Sequence, residues 1–325
     1  MAAPAANLLS PPSQITPNTA LQLSQKAPLI LSSSPTSSLP WPLSLLFSRE
    51  TPETWTIHEN LLLAALRTGD DASARQILDR MTERFGESNE RIIALRGIYE
   101  EALAKDDKEL AKVLDGYGKV LDTDPTNMAV RKRGIAVMKN LGKTAEAIAS
   151  LRVLLDSSPT DAEAWAEMSD MYASIGSWGQ AIYCLEEVLL LMPNAWSAHA
   201  QIATLHYLSA PASVPALAMA LRHFARSAEL NESYLRGYYG LKMVSQKLLP
   251  LLSDTPSTSR RNADADDDVP PPKLQTIKKL EELATSKLAE IVRQYKSGSK
   301  KWAAFDEAEV IAARELLNRD DTAER

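Results

Sequence analysis

Three prolines stand at a constant spacing in the middle of this chain. Pro125, Pro159 and Pro193 are separated by intervals of 34 residues. A fixed period of this length is typical of repeat proteins, in which each unit buries its apolar face only against its neighbours. The spacing therefore constrains the fold more strongly than any local feature of the sequence.

The residues between Pro159 and Pro193 match the pattern of a tetratricopeptide repeat counted from Ala162. The 3.6-residue period places the first four matching positions on one face of a first helix and the next three on a second. Small residues at positions 8 and 20 predict a close approach of the two helices. The matches at positions 4, 7, 8, 11, 20, 24, 27 and 32 are Trp165, Met168, Ser169, Tyr172, Ala181, Leu185, Val188 and Pro193.

The same frame extends in both directions along the chain. It predicts an all-α fold, a right-handed α-solenoid of about five tetratricopeptide repeats plus a partial sixth, with a C-terminal capping helix. The expected domains are a largely irregular Pro/Ser-rich extension, the solenoid, a disordered acidic linker, the capping helix and a tail with an amphipathic segment. Their ranges are 1–49, 50–250, 251–272, 273–297 and 298–325.

Composition excludes several classes of function. The chain has 42 acidic and 36 basic residues and a net charge of -6, whereas general nucleic-acid binding needs a basic surface. Its single cysteine cannot form an internal disulfide. Two long uncharged windows, residues 27–48 and 188–221, are interrupted by prolines and predict no membrane span.

No group of residues in the sequence predicts catalysis, a cofactor or a metal. His199 and His206 are seven residues apart, but they fill repeat positions 4 and 11, where packing residues belong. His58 also fills position 4, and His223 has no partner at a useful spacing. Cys184 is interpreted as a small core or interface residue and not as a nucleophile, because nothing near it in sequence would lower its pKa. We therefore expect a protein that is not an enzyme.

Positions 2, 5, 6 and 9 of each first helix are expected to line the concave side, where repeat proteins bind partners. In the unit from Met128 they include two basic residues, and in the unit from Ala162 they include three acidic ones. A clamp for the carboxylate of a chaperone tail would instead need converging Lys, Arg and Asn. The charged candidates are Lys132, Arg133, Glu163, Glu167 and Asp170.

The uncharged window 188–221 leaves the first helix of its repeat without a charged face. Burial by another chain would explain this composition, and coverage by the chain's own C-terminal helix is the alternative. The residues expected to belong to or border a partner interface are Trp196, His199, Gln201, Leu205 and Tyr207.

A second apolar stretch runs from Trp41 to Phe47 and is more apolar than a linker that only connects two segments would be. We expect it to dock onto the first repeat as a cap or onto a neighbouring subunit. Direct membrane contact is a weaker interpretation, because only Lys26 and Arg49 flank the stretch and binding to lipid headgroups usually needs more basic charge.

Several local motifs resemble the subunit 2 family of the endoplasmic reticulum membrane protein complex, in a fungal form. The likeness covers residues 50 to 247. The motifs are Asp124-Pro-Thr-Asn127, Arg131-Lys132-Arg133, Ala145-Glu-Ala-Ile148, Ala164-Trp165, Met171-Tyr172, Cys184-Leu-Glu-Glu187 and Tyr238-Tyr-Gly-Leu241.

This resemblance implies a repeat scaffold in a membrane insertase for tail-anchored and multipass proteins. The protein would be peripheral, on the cytoplasmic face of the endoplasmic reticulum. It would form a hetero-oligomer, and its partners would be membrane-spanning subunits and a second soluble cytosolic subunit. Two alternatives remain: a soluble adaptor that binds chaperone or other short peptides in its groove, and a regulatory subunit of another complex.

Overall fold

The computed structural model describes residues 7–11, 15, 17–33, 51–253, 272–297 and 306–323. All regular secondary structure in these ranges is α-helical, which confirms the all-α class. The helices are α1 Pro17–Ser24, α2 Ala27–Ser33, α3 Pro52–Thr68, α4 Asp71–Phe85, α5 Glu90–Leu103, α6 Asp107–Thr123, α7 Met128–Asn140, α8 Thr144–Ser157, α9 Ala162–Ser174, α10 Trp178–Leu191, α11 Trp196–Ser209, α12 Val214–Leu230, α13 Leu235–Ser253, α14 Leu274–Lys296 and α15 Glu307–Ala323.

The chain divides into two compact units, Met1–Ser150 and Leu151–Arg325. Within each unit, helices that follow one another along the chain pack as hairpins, and each hairpin packs on the next. A solenoid can be divided in this way because each repeat contacts only its neighbours. The single solenoid expected over 50–250 is thus described as two units.

The periodic prolines open the turns between successive repeats. Pro125, Pro159 and Pro193 each lie two residues after the last residue of a second helix and occupy the second position of a four-residue turn. Each turn is closed by a backbone hydrogen bond from its fourth residue to its first, with N···O distances of 3.1–3.3 Å. Proline's fixed φ suits this second position. The 34-residue spacing of the prolines therefore marks where one repeat turns into the next.

Polar side chains set the starts of many helices. An Asp, Asn, Ser or Thr side chain at the N-cap accepts a hydrogen bond from a backbone N–H in the first turn, which would otherwise lack a partner. The caps of this kind are Thr51, Asp70, Asn89, Asp106, Asn127, Asp161 and Ser213.

The two helices of a repeat meet at its small positions. The Ser169 hydroxyl at position 8 donates a hydrogen bond to the carbonyl of Ala181 at position 20, with an O···O distance of 2.8 Å. In unit 1, Gly97 lies against the ring of Tyr117, and a Cβ at Gly97 would be 2.2 Å from the Tyr117 hydroxyl oxygen. A larger side chain would push the helices apart, as the predicted role of these positions requires.

Residues 17–33 are helical, although the sequence suggested a largely irregular extension. α1 packs on α3 and α2 packs on α4. Leu23 and Ala27 are buried in the same core as Leu61 and Leu62 of α3. These two short helices cover apolar surface that an end repeat would otherwise expose. The Trp41 to Phe47 stretch lies outside the described residues.

The C-terminal helices pack on the last repeat helix of unit 2. α14 packs on α13, and α15 packs on both α14 and α13. The apolar face expected on α14 is buried at Ile277, Ala284, Leu288 and Ile291. Residues 254–271 of the expected acidic linker, and Trp302 of the expected tail segment, lie outside the described residues.

Among the described helices, none has the length and apolar character needed to cross a membrane.

Replacing Gly97 with Ala is expected to lower the free energy of unfolding by about 1–3 kcal/mol, because its methyl group would overlap the buried Tyr117 ring. Gly118→Ala in α6 is the matched control. Outside its own helix backbone, no described atom lies within 4 Å of its Cβ position, so the better helix propensity of Ala should stabilise the chain by about 0.5–1 kcal/mol. Urea denaturation followed by circular dichroism measures both effects. Equal effects of the two substitutions would contradict the assignment of Gly97 to a close-packed position.

Candidate functional site

A groove in unit 2 is the strongest candidate site. Its volume is about 610 Å³, and the first helices of three successive repeats, α9, α11 and α13, form most of its lining. The positions expected on the concave side face this groove in two of the three helices. Positions 2, 5, 6 and 9 of α11 and α13 all line it, namely Ser197, Ala200, Gln201, Thr204, Arg236, Tyr239, Gly240 and Met243.

The floor of the groove is apolar. Leu185, Leu205, Phe224 and Val244 reach it, and all four side chains are buried. The Phe224 ring fits there because Gly240 has no side chain: a Cβ at Gly240 would lie 2.2 Å from the ring. Above these buried residues, Leu208 and Met243 are the more accessible apolar side chains that a partner could contact.

The two charged residues of the lining come from different helices. Arg236 on α13 forms an ion pair with Glu309 on α15, with an N···O distance of 2.6 Å. The hydrogen bond and charge of Glu309 raise the pKa of Arg236. Asp170 on α9 is exposed and forms no ion pair within the described residues. The groove thus has one compensated cation and one uncompensated carboxylate.

The groove brings together part of the predicted interface. Gln201, Leu205, Tyr207 and Asp170 line it, and the ring of Tyr207 also lies 4.4 Å from the Lys247 ammonium. Leu205 is 7% exposed and packs in the core with Leu185. A charge at Leu205 would therefore disturb folding as well as binding, so the exposed Leu208 is the better position for testing the groove.

Trp196 and His199 do not line the groove. Trp196 is 43% exposed at the start of α11, and its carbonyl accepts a hydrogen bond from the Ser227 hydroxyl, with an O···O distance of 2.7 Å. The ring of His199 is turned towards α12. That these two residues contact a partner therefore stays a prediction. They would do so at the border of the α11–α12 pair and not inside the groove.

The C-terminal helices do not cover the groove face of α11. α14 packs on α13, and Gln201, Thr204 and Leu208 of α11 remain exposed in the described structure, Leu208 at 49%. The alternative of coverage by the chain's own C-terminal helix is thus wrong for this face.

The basic candidates in unit 1 are less available than the sequence suggested. The Arg133 guanidinium is paired with the carboxylate of Glu101, which also accepts a hydrogen bond from the Tyr117 hydroxyl. Burial and this bond to Glu101 raise the pKa of Tyr117. Arg133 therefore joins α5, α6 and α7 and is not an exposed cation for a ligand, which corrects its prediction as a concave binding residue.

Lys132 is half-buried in α7 and already has a partner, as do Glu163 and Glu167 in α9. Of the five charged candidates, Asp170 is the one that lines the groove of unit 2.

Three histidines form a cluster between α11 and α12. The Nδ1 atoms of His199 and His223 are 3.1 Å apart, and the His206 ring stacks on the His223 ring at a centroid distance of 6.1 Å. His223 has no partner at a useful spacing along the sequence, but the fold brings it against His199 and His206. It stands three residues after the small residue Ala220, as Cys184 stands after Ala181, and that shared register could have indicated its burial.

The geometry of the His199 and His223 rings fits a hydrogen bond. Their centroids are 5.3 Å apart, so the two Nδ1 atoms face each other along one line, with one donating N–H and the other accepting. Metal ligands would converge on a third point. In the part of the chain that the structure describes, no group of three or more His, Cys, Asp or Glu could hold a metal ion.

Burial keeps the cluster uncharged. It lowers the pKa of His199 and His206, and it lowers that of His223 to about 4. The neighbouring His199, His206 and Arg222 add repulsion at His223, and no carboxylate opposes them. The three rings therefore pack as neutral groups at neutral pH, in keeping with the packing role expected for repeat positions 4 and 11.

The other two singled-out residues are also packed inside the protein. Burial raises the pKa of the Cys184 thiol to about 11, which keeps the sulfur protonated and unreactive. His58 is 2% exposed beside Trp55, and its Nδ1 donates to the Thr54 carbonyl at 2.7 Å.

Comparison with known proteins gives several matches. The family model of the EMC2 TPR-like repeat domain matches residues 57–223, more than half of the chain. The TPR repeat protein oca3 of Schizosaccharomyces pombe is 33% identical over 199 residues, which are 61% of this chain and 69% of that protein.

ER membrane protein complex subunit 2-B of Xenopus laevis is 33% identical over 193 residues, covering 59% of this chain. The match spans 63% of the Xenopus protein, slightly under two thirds of its length. The subunit 2 of the same complex from Saccharomyces cerevisiae is 26% identical over 212 residues, 58% of this chain and 68% of the yeast protein.

A solved structure of the C-terminal part of a TPR repeat-containing protein from Cytophaga hutchinsonii is similar in fold. Its TM-score is 0.51 at 12% identity, with 84% of this chain and 93% of that chain covered. At this identity the likeness supports the helical repeat fold alone.

The histidine cluster predicts an acid-sensitive stability. The folded pKa of His223, about 4, lies below its ordinary value of 6.5, so the unfolded chain binds a proton that the folded chain does not. The contribution of neutral His223 to the free energy of unfolding is therefore complete above pH 6.5, and it is lost as the pH falls towards 4. Lowering the pH from about 7.5 to about 5 should reduce the free energy of unfolding by up to about 2 kcal/mol through His223.

Urea denaturation at several pH values measures this slope. His223→Gln should reduce it, leaving the smaller contributions of His199 and His206, whereas Gln201→Ala, which removes no titrating group, should keep it. A slope that His223→Gln leaves unchanged would contradict the assignment.

Proposed function

Because the chain belongs to the EMC2 TPR-like repeat family, we propose that it is a non-enzymatic scaffold subunit of the endoplasmic reticulum membrane protein complex. In this role it braces cytosolic parts of an insertase for tail-anchored and multipass membrane proteins. It acts from the cytoplasmic face as a peripheral subunit of a hetero-oligomer. Its partners are membrane-spanning subunits and a second soluble cytosolic subunit.

The observation that carries this proposal is the groove of unit 2. It is built largely from the repeat positions expected to line the concave side, and it joins buried apolar residues to exposed residues such as Gln201, Thr204 and Leu208. A scaffold of this kind needs no reacting groups: it holds several segments at fixed positions and so raises their effective concentration for one another. Stacked repeats form such extended binding surfaces by themselves.

Two features of the described residues support a binding role over catalysis. The buried Cys184 thiol is held protonated, and the clustered histidines are paired with one another. Neither arrangement presents an activated nucleophile or base to the groove.

The alternative of a chaperone-tail adaptor has less support from the lining of the groove. Such a site needs several Lys, Arg and Asn side chains around a peptide carboxylate. The described lining holds one cation, Arg236, which is already paired with Glu309, and it includes the carboxylate of Asp170.

Affinity purification tests the proposal. The tagged chain, purified from its own cells in mild detergent, should bring down several membrane-spanning proteins in stoichiometric amounts by mass spectrometry. Recovery alone, or with cytosolic chaperones only, would overturn the scaffold assignment.

A groove variant and a matched control sharpen the experiment. Gln201→Arg with Leu208→Glu places two charges in the lining and should remove at least one membrane-spanning partner. The control makes the same kinds of change at exposed positions of α14, Gln275→Arg with Leu283→Glu, and should keep all partners. Loss of the same partners in both variants would contradict a role for the groove.

A further inference from the structure

We propose that the groove of unit 2 binds an amphipathic α-helix of a partner protein, with a basic residue of that helix facing Asp170. This inference rests on the proposed scaffold function and names the kind of segment that the groove holds. Its basis is the polarity, size and charge of the described lining.

The lining offers a limited set of hydrogen-bonding groups to a peptide backbone, namely the side chains of Ser197 and Gln201 and the hydroxyls of Tyr207, Tyr234 and Tyr239. The Ser169 hydroxyl is used by the Ala181 carbonyl, and the Thr204 hydroxyl donates to the Ala200 carbonyl at 2.8 Å. Gln201 is the one amide side chain among the lining residues, which include no Asn and no Lys. An extended peptide laid on the apolar floor would leave many of its own N–H and C=O groups unpaired. A helix pairs its backbone internally and avoids this loss.

The size of the groove also fits a helix. It is bounded by α9, α11 and α13, and adjacent packed helices lie roughly 10 Å apart. Three helices side by side therefore give a span of roughly 20 Å, the length of a helix of about 13 residues. The apolar floor around Leu185, Phe224 and Val244 suits a row of side chains at i, i+3 or i+4, and i+7.

The charges of the groove lining indicate which charged residues the bound helix should carry beside its apolar row. Asp170 is exposed in the lining and forms no ion pair with another described residue, and Glu163 and Glu167 lie on the same helix α9. On the α13 side, Arg236 is compensated by Glu309. The lining therefore favours a Lys or Arg at the α9 side of the bound helix, and it does not call for an acidic residue at the α13 side.

Fluorescence anisotropy with the full chain tests the proposal. The probes are labelled peptides of about 14 residues with four different Leu rows on an Ala and Gln background and a Lys pair at one end. Each has a partner with two central prolines, which prevent a helix, and another with the Lys pair changed to Glu. At least one helical Lys probe should bind with micromolar affinity, and its proline partner should bind at least about tenfold more weakly.

Protein variants locate the site and its charge. Asp170→Lys should weaken the Lys probe at least about threefold and strengthen the Glu probe, as expected for opposite and like charges at a partly exposed position. Glu186→Lys, the same change on the exposed side of α10 outside the groove, should leave both probes unchanged. Leu208→Glu should weaken all helical probes.

Three results would overturn the inference. They are equal or tighter binding of the proline peptides, no binding of any probe up to about 0.1 mM, and no response of the charged probes to Asp170→Lys. Each is distinguishable from a failure of the proposed function, because recovery of membrane-spanning partners with the unmodified chain does not depend on these peptides.

Discussion

The close approach of two helices inside each repeat is the contact on which the other features depend. Where Ser169 at position 8 meets Ala181 at position 20, the side chains are small enough for the helix backbones to pack together. This contact turns positions 2, 5, 6 and 9 of the first helix away from the hairpin. In α11 and α13 those positions line one groove, so the packing inside the repeats determines which residues a partner meets.

The features that the sequence predicted correctly depend on local periodicity. A 34-residue interval between prolines indicates where repeats join, because proline suits the second position of the turn after each second helix. Counted with the 3.6-residue period, Gln201 and Asp170 fall at first-helix positions 6 and 9, and both line the groove of unit 2. The apolar stripe of α14, from Ile277 to Ile291, was predictable for the same reason.

The features that the sequence missed depend on contacts between distant residues. His223 meets His199 through the packing of α12, which follows the longer Ala210 to Ser213 turn, and spacing along the chain does not show this pairing. Arg133 was expected to be exposed because of its position in the repeat. The structure instead pairs it with Glu101 on another helix, a contact that the repeat pattern does not show. α1 and α2 carry no repeat signature, and their order comes from burial against α3 and α4.

Site-specific photocrosslinking in living cells tests most directly whether the groove holds a partner in a membrane complex. A photoreactive amino acid would replace Gln201 or Thr204 in the groove, and Leu283 on α14 as the reference position. Crosslinks to a membrane-spanning protein are expected from the two groove positions, and none to that protein from position 283. Crosslinks from the groove only to soluble chaperones, or equal crosslinks from all three positions, would contradict it.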